Sequence, residues 1–341
     1  MRKLIVLSAG EDYDVGGLVR FLIRMFDRKD IRNLFYENGL DIVTSRQIKD
    51  DFKMSDVEFL KGISENDPEN WLIFGIHPYG LDTSLNASEK IKKIAWINDP
   101  HYFANYVERN GKTVQRFSEK YDPFLIKSID YMITPSPVYF RNLKINEYDD
   151  KMIFFFYFLD EEVYEQTGNV PFDDRMDKIV LSGAIYEDYK SRVEFDNLRK
   201  GKKEFEEIVY KIEHPGYKNN SHMTELNYYN ELTKYKAAFV GHLVFPINYV
   251  VAKHIEVLMC GCLGFFEPNT LLESELGLIA FEHYVPCCDE NGEVIKDEGF
   301  YIKWMNSEEG KRISEKGKEY VRDRFGKIYI KEFIDILKKI G

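Results

Sequence analysis

The sequence predicts an α/β protein built from two doubly wound domains, each with a parallel sheet between helices. Short runs rich in β-branched and aromatic residues alternate with amphipathic stretches, which is typical of βαβ units. The alternation stops once and restarts, and 341 residues are too many for one ordinary core. Apolar residues make up 44% of the chain, enough to fill two interiors.

The first domain is predicted to span residues 1–160 and to contain six strands. Their apolar runs fall at 3–8, 41–44, 70–75, 93–98, 131–134 and 152–156. Amphipathic stretches between them predict helices at 18–27, 56–63, 87–92 and 121–129. Six strands with crossover helices make one doubly wound sheet.

The second domain is predicted over residues 178–325. Strand-like runs lie at 178–183, 207–212, 237–240, 263–266, 278–281 and 300–302. Helical patterns lie at 189–199, 224–234, 249–259 and 307–325. The acidic stretch 160–177, interrupted by Gly168 and Pro171, is expected to be a linker between the domains.

A final amphipathic helix is predicted over 328–340, within a terminal segment 326–341. Its apolar face leaves two alternatives open: packing back onto the first domain, or packing on its own domain.

Composition excludes several classes of protein. A formal net charge of −11 argues against a general nucleic-acid binder, since phosphate neutralisation needs clustered Lys and Arg. No apolar run approaches the roughly 18 residues of a membrane span. The basic start of the chain precedes an apolar run too short for a signal peptide, so we expect a cytoplasmic protein. The cysteines, at positions 260, 262, 287 and 288, lack the spacing of zinc ligands.

The most informative segment runs from Lys253 to Glu267. It combines a short helix carrying Glu256, a stop at Gly261 and an apolar strand. This arrangement brings a cation and a carboxylate to a strand edge, where α/β sheets bind ligands. A carboxylate there can accept two hydrogen bonds from the hydroxyls of a ribose. The alternative is a surface glutamate paired with Lys253.

Residues 229–325 resemble the C-terminal domain of CgeB-like, group-1-related glycosyltransferases. The resemblance rests on the Tyr-Asn-x-x-Leu-like helix at 229–232, on the basic residue and glutamate before the Cys-Gly turn at 260–261, and on the Gly-Lys-x-x-Val pattern at 317–321. It implies the GT-B fold, in which two Rossmann-like domains face a cleft. It also implies donor binding by Glu256 on the ribose, Lys253 on the diphosphate, and the turn at Gly261. Asn248 stands where many retaining enzymes of this fold have a second glutamate.

Two other turns are candidates for donor binding. Ser182 and Gly183 end a strand, where a small turn lets the backbone approach a phosphate, with Lys190 or Arg192 supplying charge. His214 and Tyr217 follow another strand and are candidates to contact and stack on a nucleobase. Ordinary turns with solvated side chains would explain both segments equally simply.

In the first domain, Asp99 follows a strand and is the candidate general base for an acceptor hydroxyl. His101 and His77 compete for that role, and an Asp-Pro turn is the structural alternative. Gly16 and Gly17, after the first strand, are candidates to hold a phosphate or the acceptor with backbone amides.

The sequence therefore predicts a glycosyltransferase that moves a sugar from a nucleotide diphosphate-sugar to a hydroxyl by inverting displacement. No metal or other cofactor is expected to be essential, and a glycan or protein is the expected acceptor, nucleic acid being disfavoured. Two alternatives stay open: a nucleotide-sugar epimerase on the same fold, and a nucleotide-sugar-binding module without turnover.

Overall fold

The computed structural model divides the chain into two compact units. The first comprises Met1–Phe156 together with Ile330–Gly341, and the second comprises Tyr157–Tyr329. The structure describes residues 2–8, 25–76, 79–97, 105–109, 112–116, 128–135, 150–156, 161–183, 185, 189–212, 225–242 and 250–341.

The first unit contains a six-stranded parallel sheet and a separate antiparallel hairpin. The strands are β1 (Arg2–Leu7), β2 (Leu40–Thr44), β3 (Trp71–Ile76), β4 (Lys92–Trp96), β5 (Asn105–Arg109), β6 (Lys112–Arg116), β7 (Tyr131–Thr134) and β8 (Met152–Phe154). The sheet order is β2-β1-β3-β4-β7-β8, and β5 and β6 form a separate antiparallel pair. The central strands β1 and β3 are buried along most of their length, as a sheet covered on both faces requires.

The described part of the first unit contains four complete helices before β4, and residues 25–27 are also helical. The complete helices are α1 (Lys29–Glu37), α2 (Ser45–Asp50), α3 (Asp56–Asn66) and α4 (Tyr79–Ser84). Thr44 and Ser55 begin α2 and α3 with reciprocal capping boxes, in which the residue at the third helical position bonds back to the cap. These caps explain why each helix starts where it does.

The second unit contains a five-stranded parallel sheet. Its strands are β9 (Met176–Ser182), β10 (Val209–Ile212), β11 (Tyr235–Val240), β12 (Leu263–Phe266) and β13 (Val285–Pro286), in the order β10-β9-β11-β12-β13. All neighbouring pairs are parallel. The chain moves to one side of β9 to form β10 and to the other side to form β11. The strand order therefore reverses between β9 and β11, which defines a topological switch point.

Among the described residues of the second unit there are eight α-helices. They are α5 (Glu161–Gln166), α6 (Lys190–Gly201), α7 (Lys203–Ile208), α8 (Glu225–Leu232), α9 (Lys253–Met259), α10 (Thr270–Ser274), α11 (Glu298–Met305) and α12 (Glu308–Phe325). On one face of the sheet Phe195 of α6 stacks on Phe239 of β11, with ring centroids 4.1 Å apart. Tyr301 of α11 packs edge-on against β12 in the same core.

The last helix, α13 (Lys327–Ile340), adds most of its length to the first unit. Phe333 is fully buried there, with its ring centroid 5.4 Å from that of Phe74 and 5.1 Å from that of Phe155. The apolar stripe of this helix thus completes the core above β3 and β8. No helix in the described part of the chain is both long and apolar enough to cross a membrane.

The predicted two-domain α/β fold is confirmed, but several predicted elements are wrong. Residues 278–281 form no strand, because Gly277 and Phe281 both have positive φ, +68° and +61°, and break the extended ladder. Residues 300–302 belong to helix α11, which the side chain of Asp297 caps at Gly299 N. A short apolar run cannot distinguish a strand from a buried helical turn.

Two further predictions in the connecting segments are wrong. Residues 87–91 form turns and bends instead of a helix, and Lys92 begins strand β4. The Ser88 hydroxyl accepts a hydrogen bond from Lys90 N. The expected linker at 160–177 is structured over its described residues 161–177, which belong to the second unit. It contains α5, its Phe172 enters the core of the second unit, and Gly168 N donates to Asn230 Oδ1 at 2.8 Å.

Candidate functional site

The switch point of the second sheet places four polar or glycine positions at two neighbouring strand ends. Ser182 ends β9 and Gly183 follows it, while Gly241 and His242 follow β11. In doubly wound sheets the connections after two such neighbouring strands run to opposite sides, and the crevice between them binds ligands. The candidate site is built around these strand ends.

Two buried cations converge on Gly183. A Cβ atom at this glycine would lie 2.6 Å from Lys253 Cε and 3.2 Å from Arg192 Nη1, and its φ of +93° also favours glycine. Arg192 is only 2% exposed, donates from Nη2 to Gly241 O at 2.7 Å and lies over the ring of Tyr189. A glycine at this position therefore leaves room for both cationic side chains at the end of β9.

Helix α9 supplies Lys253 in its first position and Glu256 one turn later. Both are buried, and Lys253 Nζ lies 3.9 Å from Glu256 Oε2, the limit of an ion pair. Tyr229 donates to Glu256 Oε1 at 3.5 Å, and the ring of Tyr228 lies 5.5 Å from Lys253 Nζ. Glu256 Oε2 has no hydrogen-bond partner in the described part of the chain. The carboxylate is therefore only half satisfied.

Burial dominates the ionisation of this pair. It lowers the pKa of Lys253 to about 8, a change that Glu256 opposes and the neighbouring Arg192 reinforces. Burial likewise raises the pKa of Glu256, against the opposing charge of Lys253. Two adjacent buried cations, one of them with its counter-charge Glu256 at the limit of an ion pair, make a site that an anionic ligand would stabilise.

The hydroxyl of Ser182 is already engaged with a tyrosine. Its Oγ lies 2.7 Å from the hydroxyl oxygen of Tyr228, and both groups are buried. Burial raises the pKa of the Tyr228 phenol well above its usual value, so Tyr228 stays neutral. This pair fixes the end of β9 against helix α8.

A second polar cluster adjoins the same strand ends, and the sequence analysis missed it. Glu267 follows β12, and its Oε2 accepts hydrogen bonds from Ser191 Oγ at 2.6 Å and from His242 N at 3.1 Å. His242 Nδ1 lies 3.3 Å from the same oxygen. Glu267 directly follows a strand and His242 comes two residues after one, and these positions were the available signal in the sequence. Their meeting required the strand order.

Two of the sequence-predicted donor residues lie elsewhere in the second unit. The side chain of Lys190 is 69% exposed and pairs with Glu194, so the structure brings Arg192, not Lys190, to Gly183. Gly261 lies beyond the opposite end of α9 from Lys253, with φ of +66°. Its positive φ directly after the C-cap Cys260 is typical of a glycine that ends a helix. Arg175 Nη1 donates to the carbonyl oxygen of Gly261 at 2.6 Å.

The remaining candidates lie outside the described residues. They are Gly16, Gly17, His77, Asp99, His101, His214, Tyr217 and Asn248. Within the described ranges no group of three or more His, Cys, Asp or Glu side chains is placed to hold a metal ion. All four cysteines are buried free thiols.

No protein-family model and no curated protein matches this chain by sequence. Solved structures match it over nearly its whole length. HepE of Anabaena, in complex with UDP-glucose, has a TM-score of 0.57 and 10% identity, covering 99% of this chain and 100% of its own. An alpha-glucosyltransferase in complex with UDP has a TM-score of 0.58 and 14% identity, with the same coverage.

A sucrose-phosphate synthase from Thermosynechococcus elongatus is similar at a TM-score of 0.56 and 10% identity, covering 100% of this chain and 99% of its own. These neighbours are GT-B glycosyltransferases. At such low identity the likeness concerns the fold, and the chain has the two-Rossmann-domain fold of GT-B proteins.

Proposed function

We propose that this protein is a glycosyltransferase that takes a sugar from a nucleotide diphosphate-sugar and transfers it to an acceptor hydroxyl. The donor would bind at the switch point of the second unit, and the first unit would bind the acceptor. The observation that carries the proposal is the meeting of Arg192 and Lys253 over Gly183 at a strand end.

The diphosphate is the part of the donor that suits these cations. Arg192 presents a planar fork of N–H donors, and Lys253 adds a compact charge that burial makes costly without an anion. A diphosphate leaving group develops negative charge as the glycosidic bond breaks. Fixed cations at that position stabilise the transition state more than the ground state.

The ribose is the part that suits Glu256. Its Oε2 is buried and lacks a hydrogen-bond partner among the described residues. Vicinal hydroxyl groups can donate to a carboxylate, and the position of Glu256 one turn from Lys253 puts it next to the proposed diphosphate. The buried and unsatisfied oxygen supports ligand binding over a purely structural ion pair.

The nucleotide and the subfamily are the finer parts of the proposal. HepE and the alpha-glucosyltransferase were solved with UDP-glucose or UDP, which makes uridine diphosphate the first nucleotide to test. The motifs at 229–232, 253–261 and 317–321 support a CgeB-like enzyme. We further propose that Asp99 is the general base of a metal-independent inverting displacement.

Calorimetric titration with nucleoside diphosphates and nucleotide-sugars, with Mg²⁺ or with EDTA, tests the donor site. We expect one nucleoside diphosphate to bind, and Glu256→Gln to weaken it roughly tenfold, since a bond to a charged group contributes about 1.5–3 kcal/mol. Glu207→Gln, at an exposed glutamate of the same unit, is the matched control and should bind normally. Absence of binding by any nucleotide would remove the basis for the proposal.

Turnover tests the mechanism separately. Asp99→Asn should retain nucleotide binding and lose at least about a hundredfold in transfer rate, the usual contribution of a general base. Full activity in this variant would exclude the assigned base and leave the donor site untouched.

A further inference from the structure

The two cations of the candidate site each lie against the face of a tyrosine ring. The guanidinium carbon of Arg192 is 4.0 Å from the ring centroid of Tyr189, and Lys253 Nζ is 5.5 Å from the ring centroid of Tyr228. Both distances are within the roughly 6 Å over which an aromatic face attracts a cation. The Arg192 pair is the closer of the two, and Tyr189 has no part in the donor site proposed above.

Tyr189 stands directly before helix α6, whose third residue is Arg192. Its side chain is half-buried, whereas Arg192 is fully buried. Val193 N donates to the backbone carbonyl oxygen of Tyr189 at 3.0 Å, which is the hydrogen bond that begins the helix. The backbone of Tyr189 is therefore held by the first turn of α6, and its ring lies over a side chain of that same turn.

Three groups surround the guanidinium of Arg192. Tyr189 covers one face, Gly241 O accepts from Nη2 at 2.7 Å, and Nη1 lies 3.2 Å from the position that a Cβ atom would take at Gly183. An aromatic ring attracts a guanidinium through its face, while the N–H donors of the guanidinium lie in its plane. The tyrosine therefore stabilises the cation without competing with an anionic ligand for those donors.

We propose that Tyr189 is a positioning residue, which holds the guanidinium of Arg192 in the orientation that a diphosphate at Gly183 requires. The inference rests on the proposed function, because it takes the diphosphate of the donor as the ligand of Arg192. An arginine side chain has many rotamers, and fixing one of them during binding would weaken affinity. Stacking on Tyr189 fixes the side chain before the ligand arrives.

Tyr228 is the less suitable position for testing the role of a ring. Its centroid is farther from its cation, and its hydroxyl oxygen lies 2.7 Å from Ser182 Oγ at the end of β9. A substitution of Tyr228 would change this strand end together with the contact to Lys253. Tyr189 is half-buried and precedes a helix, so its ring can be replaced with less effect on the sheet.

Isothermal titration calorimetry of Tyr189 variants tests the contact. The ligands are inorganic pyrophosphate and the nucleoside diphosphate that binds best among UDP, ADP, GDP and dTDP. In Tyr189→Leu we expect affinity for both ligands to fall roughly fivefold to tenfold, the share of one desolvated cation–π contact. Tyr189→Phe keeps the aromatic face and should bind both within about twofold of the unaltered protein. Tyr210→Leu, at an exposed tyrosine that stacks on Tyr235, is the matched control and should bind normally.

A double-mutant cycle shows whether the ring acts through Arg192. In the Arg192→Met background, Tyr189→Leu should weaken binding by less than about twofold further, because the cation that the ring holds is gone. A ring that only supports the fold would cause the same loss in both backgrounds. Urea denaturation shows which variants are folded under the assay conditions. The comparison of Tyr189→Leu with Tyr189→Phe needs no substitution at the buried arginine.

The outcomes separate this inference from the proposed function. Binding of pyrophosphate that depends on Tyr189, with no binding of any of the four nucleoside diphosphates, would overturn the proposed function and support the role of the ring. No binding of either kind of ligand would overturn both. Normal diphosphate binding in Tyr189→Leu, an equal loss in Tyr189→Phe, or an equal loss with and without Arg192 would overturn the role of Tyr189 alone.

Discussion

The pH dependence of nucleotide binding follows from the buried state of Lys253. Burial lowers the pKa of this ammonium from its usual 10.5 to about 8 in the protein without ligand. A bound diphosphate would add negative charge beside it and raise the pKa again, so binding takes up a proton above pH 8. Affinity should therefore be level between about pH 7 and pH 8, then fall by nearly tenfold per pH unit.

Stability of the ligand-free protein should change in the opposite direction. Between pH 8 and pH 10.5 the unfolded chain holds more protons on Lys253 than the folded protein, so this residue's contribution to the free energy of unfolding rises with pH. The full change corresponds to roughly 3 kcal/mol, at about 1.4 kcal/mol per pH unit. Below pH 8 Lys253 is protonated in both the folded and the unfolded protein. The burial of its charge then lowers the free energy of unfolding by the full amount.

Isothermal titration calorimetry of the best-binding nucleoside diphosphate at several pH values, in two buffers of different ionisation enthalpy, measures both affinity and proton uptake. We expect about tenfold weaker binding at pH 9 than at pH 7.5. Lys253→Met should bind weakly at every pH and lose the slope, while Lys203→Met, at an exposed lysine, should keep it. The same slope in Lys253→Met would refute the reasoning.

Three further substitutions separate binding from folding in the second unit. Gly183→Ala should lower the free energy of unfolding in chemical denaturation by about 1–3 kcal/mol and weaken nucleotide binding, because the φ of Gly183 is positive and the new methyl group would meet Lys253. Gly201→Ala, whose new methyl group meets open space, is the control and should do neither. Arg175→Ala should lower stability by about 2–4 kcal/mol, because it removes the donor to the Val170 and Cys260 carbonyls and leaves the Gly261 carbonyl with Ser314 Oγ alone. We expect no change in nucleotide Kd at temperatures where this variant is folded, and a weakened Kd would restore Gly261 to the donor site. Phe195→Ala should cost about 3–5 kcal/mol in the same denaturation experiment, and a loss below 1 kcal/mol would contradict the core as described.

Much of the fold was readable because buried parallel strands are nearly continuous apolar runs. Residues 263–266 and 131–134 were located to the residue, since both are short runs with clear boundaries. Residues 300–302 were misread because three apolar residues fit a strand or a helix equally. The N-cap at Asp297 was the local signal that distinguishes them.

The candidate site was only partly readable. The choice between Lys190 and Arg192 could have been made from the sequence, since Arg192 lies three residues before the core residue Phe195 and so shares its helix face. His242 and Glu267 could not have been paired, because they come from different strands and meet only through the sheet order. Strand order is set by crossover packing, which one sequence does not display.

The placement of Lys253 and Glu256 indicates a balance between folding and binding. Removing two charges from water costs several kcal/mol per ion, and an ion pair 3.9 Å long with an unsatisfied oxygen recovers little of it. Apolar side chains of similar size would therefore stabilise the fold better. We expect the double substitution Lys253→Met with Glu256→Leu to raise the free energy of unfolding by about 1–4 kcal/mol and to abolish nucleotide binding. Each single substitution should destabilise instead, since it leaves one buried charge alone. A double variant less stable than both single variants would show that this pair serves the fold, and the argument for a ligand at this position would fail.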